Sequence, residues 1–358
     1  MSVVKKKVLL FLQSNVGGAE RVTVTIGKNL DANIFDVCFY AVGSWDCKIA
    51  DFIPSQMFRG HIKQKNPFRL ILNLYRCIRK ESPDIVFSST MYISTKVLLL
   101  KCFFPMVRFI VRSENNFFKF SLKQKLMIRL LYRRAETIIA QTEEMRMELI
   151  KKAKLTASNI YTIQNPQDFV MIDGLAQVKS PFLKKNTINY VASGRFAPAK
   201  GFDILVRAFA LVEKRINNVE LYIVGQNSGP NEEYFLRIDQ LIKELNLSEK
   251  IHCVGYQKNP YAYVKNADCF VLSSRNEGLP NVLIEALYLG TPAAATTCIP
   301  AIERIIEKGK TGFLAVSENA ESLAEAMIQA ASLGRITSNT VLDTMPAFNA
   351  LFRNGHIK

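Results

Sequence analysis

The residues best suited to chemistry lie near the C-terminal end of the chain, in the segment Asn276–Glu285 (NEGLPNVLIE). Glu277 lies on the loop after a predicted strand, and Glu285 lies just over one turn inside a helix that is predicted to start at Pro280. A carboxylate accepts two hydroxyl donors at once, which suits the hydroxyls of a sugar or a ribose. The alternative is an ordinary surface loop and helix, because two glutamates eight residues apart are common by chance.

The start of the same helix is a predicted anion site. The free backbone amides of Asn281 and Val282, together with the helix dipole, would hold a diphosphate. Gly278 has no Cβ, so the backbone there can approach a ligand closely.

A second segment, Val191–Gly201 (VASGRFAPAKG), also follows a predicted strand and precedes a helix. Its two cations, Arg195 and Lys200, are suited to neutralise the charge that grows on a departing nucleoside diphosphate. The alternative interpretation is a solvated basic turn.

A third segment, Asn15–Arg21 (NVGGAER), joins the first predicted strand to the first helix. Gly17 and Gly18 allow backbone amides to come close to a ligand. The third glycine of a dinucleotide fingerprint is missing, and a Gly-Gly turn alone is more often structural.

Alternating strands and helices position these three segments, which predicts an α/β protein with two doubly wound domains of the Rossmann type. Such domains, facing each other, would bind a ligand in the cleft at the carboxyl ends of their strands. We predict a first domain over residues 1–170, a linker over 171–187, a second domain over 188–335 and a tail over 336–358. The predicted strands are Val8–Gln13, Asp36–Val42, Asp84–Ser89, Arg108–Arg112, Thr137–Gln141, Ile160–Gln164, Ile188–Ser193, Val219–Val224, Ile251–Val254, Asp268–Ser273, Pro292–Thr296 and Gly312–Val316.

The charge is distributed unevenly. Residues 1–170 contain 27 Lys and Arg against 13 Asp and Glu, whereas the remaining residues contain 20 against 18, within a total net charge of +16. The N-terminal half is therefore expected to meet an anion: nucleic acid, a phosphorylated substrate or a membrane leaflet. The seven scattered cysteines and three histidines predict neither a disulfide framework nor a zinc site. The first apolar run is too short for a signal peptide, so we expect a cytoplasmic protein.

The three segments, in this order and spacing, resemble the retaining GT-B glycosyltransferases of glycosyltransferase family 4. The resemblance runs from about residue 8 to residue 330 and includes Gly-Gly-Ala-Glu-Arg-Val, Gly-Arg-x-x-x-x-Lys-Gly and Glu-x7-Glu. It is closest in style to bacterial enzymes of capsule, O-antigen and lipid-linked glycan synthesis. It implies that a nucleotide sugar, a UDP-sugar by preference, is the donor. No Asp-x-Asp occurs, and the family uses Arg, Lys and a helix start in place of a metal, so no cofactor is expected.

The resemblance also assigns roles. Arg195 and Lys200 would bind the diphosphate, Glu277 the donor sugar and Glu285 the ribose. Donor contacts would further involve Gly17, Gly18, Tyr256, Gln257, Gly278, Leu279, Asn281 and Val282, with Tyr256 and Gln257 at the base. Arg195, Lys200 and Glu277 are the expected catalytic groups.

Three departures from the family pattern are visible. Ser113-Glu114-Asn115-Asn116 stands where many relatives place a His near the reacting sugar, which makes Glu114 the candidate for that role. The segment 297–303 lacks the Gly-Gly that usually precedes its glutamate. The tail 335–358 is short and poorly periodic, although relatives send a closing helix back to the first domain.

Residues 117–134 (FFKFSLKQKLMIRLLYRR) combine apolar side chains with six cations, Lys119, Lys123, Lys125, Arg129, Arg133 and Arg134. This pattern is typical of a helix on an anionic membrane surface, and equally of a core helix with a solvated basic face. The nearby apolar run 97–111 is interrupted by charges and a proline, and is too short to span a bilayer. We therefore hypothesise peripheral attachment to the inner face of the cell membrane and an acceptor glycan on a polyprenyl diphosphate.

Two other functions are considered. A sugar-nucleotide epimerase of the same fold would consume the donor without an acceptor. A basic nucleic-acid-binding protein would explain the charge, but no known RNA- or DNA-binding module is recognisable, so no nucleic-acid partner is expected.

Overall fold

The computed structural model describes residues 4–15, 17–43, 47–179, 181, 186–225, 232–337 and 343–357. The chain divides into an N-terminal unit, Met1–Gln167 with Asp343–Lys358, and a C-terminal unit, Asp168–Leu342. Val16 of the Gly-Gly turn, residues 180 and 182–185 of the predicted linker, and residues 338–342 and 358 of the predicted tail lie outside the described residues.

The N-terminal unit contains a parallel sheet. Its strands are β1 (Lys6–Gln13), β2 (Phe35–Gly43), β3 (Phe58–Lys63), β4 (Ile85–Ser88), β5 (Arg108–Arg112), β6 (Thr137–Ala140) and β7 (Ile160–Thr162). Their order is β3-β2-β1-β4-β5-β6-β7. The order reverses between β1 and β4, so the loops after these two strands diverge and leave room at the carboxyl edge of the sheet.

Helices cover both faces of this sheet, so its strands are apolar at nearly every position. The covering helices are α1 (Gly18–Asn29), α2 (Pro67–Glu81), α3 (Met91–Leu99), α4 (Leu122–Leu131) and α5 (Glu143–Lys151). Leu9 and Phe11 of β1 pack in one core with α2 to α5, whereas Val8 and Leu10 pack in a second core with α1. This alternation explains the continuous apolar run at the start of the sequence.

The C-terminal unit contains the second parallel sheet. Its strands are β8 (Ile188–Ser193), β9 (Val219–Val224), β10 (Ile251–Gly255), β11 (Cys269–Leu272), β12 (Ala293–Thr296) and β13 (Gly312–Ala315). Their order is β10-β9-β8-β11-β12-β13, and every described pairing is parallel. The loops after these strands therefore all leave from the carboxyl edge of the sheet. The donor-binding residues of the C-terminal unit were predicted at this edge.

The helices of this unit are α6 (Phe169–Ala176), α7 (Phe202–Glu213), α8 (Glu232–Glu244), α9 (Tyr261–Asn266), α10 (Asn281–Tyr288), α11 (Pro300–Ile305) and α12 (Ala320–Ala331). Helices α7, α8 and α12 pack on one face of the sheet. Helices α6, α9, α10 and α11 pack on the other.

The predicted irregular linker at 171–187 is wrong over its first part, because α6 occupies Phe169–Ala176. The side chain of Asp168 caps this helix by accepting a hydrogen bond from the Met171 amide at 3.1 Å. Ile172 and Ala176 are buried in the core beside α9 and α10. The segment therefore packs as part of the C-terminal unit, and its eight residues are too few to show helical periodicity in the sequence.

The last helix, α13 (Met345–Asn354), belongs to the N-terminal unit although it follows the whole of the C-terminal unit. Phe348, Leu351 and Phe352 are fully buried there. The guanidinium of Arg108, on β5, donates to the carbonyls of Leu351 at 3.0 Å and Phe352 at 2.8 Å, which satisfies the end of the helix. Despite its weak periodicity, the tail thus contains a closing helix.

Candidate functional site

The centre of the candidate donor site is an ion pair between two loops of the C-terminal unit. The Lys200 ammonium lies 2.7 Å from Glu277 Oε1, and both side chains are largely buried. The hydroxyl of Ser274 donates to the same carboxylate oxygen at 2.6 Å. Two residues that the sequence assigned to the donor are therefore brought into direct contact at the carboxyl ends of β8 and β11.

The loop after β8 is held against the end of β11 by close backbone packing. Gly201 has a left-handed backbone (φ +61°), and a Cβ there would lie 2.2 Å from the carbonyl oxygen of Ser273. The hydroxyl of Ser273 donates to the Lys200 carbonyl at 2.8 Å. Only glycine fits this position, and the fit fixes the backbone from which the Lys200 side chain extends.

A second ion pair fastens the same two loops. The guanidinium of Arg275 donates to both carboxylate oxygens of Asp203, each at 2.7 Å, and to the Pro198 carbonyl at 3.0 Å. Burial alone would raise the pKa of Asp203, but hydrogen bonds from Arg275 and Tyr234 lower it to about 2. Asp203 is therefore ionised at neutral pH, and the fork geometry of Arg275 defines the distance between the loops.

The helix start that follows Glu277 differs slightly from the prediction. Helix α10 begins at Asn281 with Pro280 as its N-cap, one residue later than expected. The Asn281 amide donates to the Leu279 carbonyl at 3.0 Å, so it is engaged in the turn. The prediction of a free amide at Asn281 is wrong, because the chain turns tightly at Leu279 before the helix begins.

The other donor candidates of this loop differ in exposure. The side chain of Leu279 is buried in the core, so it anchors the loop and only its backbone is available to a ligand. Gly278, Val282 and Glu285 are half-buried at the start of α10 and its first turns. Glu285 lies on α10, two residues after the buried Leu283.

Three further donor candidates follow neighbouring strands at the same edge. Arg195 is exposed after β8, and Tyr256 is exposed after β10. The side-chain amide of Gln257 donates to the Val254 carbonyl at 2.9 Å, which fixes the turn that carries Tyr256. Because β10, β9, β8 and β11 are consecutive in the sheet, the structure brings these residues to one side of the C-terminal unit together with Lys200 and Glu277.

In the N-terminal unit, the Gly-Gly turn lies at the end of β1. Gly17 is the N-cap of α1 and Gly18 is its first residue. A Cβ on Gly17 would lie 2.4 Å from Glu20 Oε2, whereas one on Gly18 would meet nothing within 4 Å. A side chain at position 17 would therefore displace the buried Glu20 carboxylate, which lies against Gly17.

Glu114 lies at the end of β5, beside the start of α3. Its carboxylate accepts a hydrogen bond from the Met91 amide at 3.3 Å. Burial, and to a smaller extent the nearby charge of Glu20, raise the pKa of Glu114 to about 7 against the opposing effects of the Met91 amide and Arg112. A carboxyl group that titrates near neutral pH is suited to exchange a proton.

Arg112 is a buried cation near the carboxylates of Glu114 and Glu20. Its side chain is 1% exposed, and burial lowers its pKa to about 10. One nitrogen donates to the Asn165 side chain, whereas Nε and Nη1 have no hydrogen-bond partner among the described residues. Asn165 in turn donates to Gln141 at 3.0 Å, so the ends of β5, β6 and β7 share one polar network.

The basic helix predicted at 117–134 is shorter than expected. Helix α4 spans Leu122–Leu131 between short 3-10 turns, and Ser121 and Gln124 form a capping box at its start. Three leucines at i, i+4 and i+8, Leu122, Leu126 and Leu130, are more than half exposed. The six predicted cations are exposed or half-buried, and one face of α4 packs in the core through Ile128 and Leu131.

Sequence reasoning missed several residues of these sites. Arg275 and Asp203 were not predicted, although each lies two or three residues from a predicted site residue. Glu20 and Arg112 were also missed. The Gly-Gly-Ala-Glu-Arg motif contains Glu20, so a charged residue inside a Gly-rich turn was the available signal.

Two features are absent from the described residues. No group of three His, Cys, Asp or Glu side chains there is arranged to hold a metal ion. No helix of the described chain is long and apolar enough to cross a bilayer.

The fold has solved counterparts. The structure of Anabaena Alr3699/HepE in complex with UDP-glucose matches with a TM-score of 0.80 at 17% identity, over 98% of this chain and 99% of that one. The likeness confirms the GT-B fold class with its two Rossmann-like domains.

Two family profiles then match the chain, one over each unit. The profile described as Glycosyltransferase Family 4 matches residues 16–169, and that described as Glycosyl transferases group 1 matches residues 176–339. Each unit of the chain thus matches a glycosyltransferase family profile.

Two relatives are informative. An uncharacterized glycosyltransferase of Methanocaldococcus jannaschii is 32% identical over 66% of this chain and 63% of its own length. The N-acetylgalactosamine-N,N'-diacetylbacillosaminyl-diphospho-undecaprenol 4-alpha-N-acetylgalactosaminyltransferase of Campylobacter jejuni is 28% identical over 65% of this chain and 60% of its own length. The matched regions therefore span less than two thirds of either relative.

Proposed function

We propose that the protein transfers a sugar from a UDP-sugar, with retention, to a glycan carried on a polyprenyl diphosphate, in the synthesis of a surface polysaccharide. The observation that carries this proposal is the Lys200–Glu277 pair, 2.7 Å apart beside the start of α10. A cation for the leaving diphosphate and a carboxylate for sugar hydroxyls are thereby held within one small site.

The chemistry needs charge stabilisation more than a nucleophile. Arg195, Lys200 and the start of α10 stabilise the charge that develops on the leaving diphosphate. Glu277 binds the donor sugar and Glu285 the ribose, while Tyr256 and Gln257 contact the base. In a front-face attack, the leaving diphosphate itself takes the proton of the acceptor hydroxyl. The protein mainly holds the two reactants in place.

Glu114 is the proposed catalytic group of the N-terminal unit. It takes the role that many relatives give to a His, and its pKa of about 7 allows it to be protonated or ionised near neutral pH. The Gly17–Gly18 turn borders the sugar and the diphosphate. Support for the UDP-sugar comes from the UDP-glucose in the Anabaena structure.

We further propose that the enzyme is cytoplasmic and attaches to the inner face of the cell membrane through α4. The exposed leucines of α4 would enter the acyl boundary while the neighbouring cations meet anionic headgroups. Support for a lipid-linked acceptor comes from the Campylobacter relative, whose name specifies a diphospho-undecaprenol substrate.

The test measures UDP release from a panel of UDP-sugars, with and without a polyprenyl-diphosphate glycan in vesicles, and determines the anomeric configuration of the product by NMR. We expect UDP only when the acceptor is present, and a product with the anomeric configuration of the donor. Donor consumption without acceptor would identify an epimerase instead. A product of inverted configuration would refute retention.

A further inference from the structure

A concave basic surface lies on the N-terminal unit, between α4 and the end of α5. Its volume is about 530 Å³. Five cations line it: Lys125 and Arg129 from α4, and Lys151, Lys152 and Lys154 from α5 and the turn that follows. We call this surface the basic basin. The lysines of α5 were not part of the predicted membrane helix.

The charge of the basic basin is largely uncompensated. Lys152 pairs with Glu148 at 3.1 Å. In the part of the chain that the structure describes, Lys125, Lys151 and Lys154 contact no carboxylate. Like charges concentrated in a concave surface produce a strong local potential, which attracts a multivalent anion.

The scaffold holds these cations in place. The Arg129 guanidinium donates to the Lys152 carbonyl at 2.8 Å, which ties α4 to the end of α5. Lys125 and Arg129 lie 6.0 and 5.7 Å from the centre of the Phe117 ring, and Lys152 lies 5.8 Å from that of Phe118. Cations that lie over aromatic faces lose less freedom when an anion binds, because their stems are already packed.

The surroundings indicate where the anion comes from. Phe118 at the wall of the basin is half exposed, and the leucines Leu122, Leu126 and Leu130 are exposed on the same helix as Lys125 and Arg129. An anion that carries an acyl or prenyl chain would satisfy both surfaces at once.

We infer that the basic basin binds the diphosphate group of the lipid-linked acceptor, an inference that rests on the proposed function. The headgroup of an anionic phospholipid such as phosphatidylglycerol carries one net negative charge. The diphosphate carries two charges on one compact group, which matches five cations around a concavity better. The basin thereby holds the lipid end of the acceptor.

The test compares two doubly substituted proteins. Lys151→Gln with Lys154→Asn removes two basin cations; Asn is chosen because position 154 has a left-handed backbone (φ +57°) that Asn tolerates. Arg79→Gln with Lys80→Gln removes the same charge from the exposed end of α2, outside the basin. Circular dichroism melting verifies that both proteins are folded.

Binding is measured by co-sedimentation with neutral phosphatidylcholine vesicles that contain polyprenyl diphosphate, with soluble pyrophosphate and phosphatidylglycerol vesicles as separate competitors. We expect the basin variant to bind about thirtyfold more weakly and the α2 variant less than threefold. Equal weakening of both variants, or competition by phosphatidylglycerol as effective as that by pyrophosphate, would overturn the inference.

A second measurement separates this inference from the proposed function. With the acceptor in neutral vesicles, the basin variant should need a higher acceptor concentration for half-maximal UDP release, at an unchanged donor KM. If the wild type releases UDP with acceptor and the basin variant needs the same acceptor concentration, the inference about the basic basin is refuted but the proposed function is not. Wild-type protein that shows no acceptor-dependent UDP release refutes the proposed function.

Discussion

Arg275 and Asp203 lie 72 residues apart in the sequence and form a two-pronged ion pair, with both N–O distances at 2.7 Å. Asp203 follows the loop that carries Lys200, and Arg275 precedes Glu277 by two residues. The Arg275 amide also donates to the Ala199 carbonyl at 2.8 Å. This contact therefore maintains the spacing between the two halves of the candidate donor site.

Replacing Arg275 by Lys should weaken donor binding although the charge is kept, because an ammonium cannot donate to both carboxylate oxygens in a fixed plane. We expect about a tenfold weaker Kd for UDP, equivalent to about 1.4 kcal/mol, by isothermal titration calorimetry. Arg237→Lys is the matched control, since Arg237 forms an exposed ion pair with Glu233 on α8. Equal losses in the two variants would contradict a positioning role.

The same pair should make the C-terminal unit sensitive to acid. The pKa of Asp203 is about 2 in the folded protein and lies below its value in the unfolded chain, so the unfolded state binds the proton more readily. The stabilisation is present above about pH 4 and is lost as the pH falls toward 2. In melting curves between pH 5 and pH 2, Asp203→Asn should show a smaller fall in Tm than the wild type. An identical fall would show that Asp203 does not titrate in this range.

Lys200→Ala and Glu277→Ala should each lower kcat by about two to three orders of magnitude, because each removes a group that acts on the donor and leaves its partner in a largely buried site. Acceptor-dependent UDP release measures the effect. The control is Lys243→Ala, which breaks an exposed ion pair with Asp239 on α8. Near-normal turnover in either donor-site variant would refute the assignment of these residues.

Glu114→Gln should raise the stability of the protein at alkaline pH and lower its activity. Because the pKa of Glu114 is raised to about 7, the folded state holds a proton that the unfolded chain releases, and stability falls as the pH rises from about 4.5 to 7. Gln removes this loss, so we expect the free energy of unfolding at pH 8 to rise by about 2 kcal/mol in urea titrations. Turnover should fall, and the pH dependence that reports this carboxyl should disappear.

Replacing Leu122, Leu126 and Leu130 by Ser should release the protein from membranes without destabilising it. These side chains are exposed, so their removal leaves the core intact. Each exposed leucine that enters the acyl boundary contributes on the order of 1 kcal/mol, so flotation with anionic vesicles should fall by about two orders of magnitude. A lowered Tm with an unchanged floated fraction would indicate that these three leucines pack within the protein.

Much of the fold follows from the sequence, because buried parallel strands are continuous apolar runs. Edge strand β3 was missed because Ile62 is its one fully buried side chain, which leaves no alternation to detect. Helices α9 and α11 were missed because six residues are too few for a helical period.

The site was less predictable than the fold. The motifs placed Lys200 and Glu277 at neighbouring strand ends, but the Arg275–Asp203 pair depends on how two loops pack, and no local pattern encodes that. Glu114 was found by position. Its raised pKa depends on burial and on Glu20, and both are properties of the folded unit.

Helix α13 has a consequence for the order in which the chain folds. During synthesis, the β-strands and first five helices of the N-terminal unit leave the ribosome early. At that stage Phe352 and its neighbours on α13 have not yet been translated. The apolar surface around Phe35, Phe87 and Ile110 therefore stays uncovered by α13 until the C-terminal unit has been translated. The N-terminal unit can therefore be completed only after the C-terminal unit has been translated, so its folding depends on a helix that is distant in sequence.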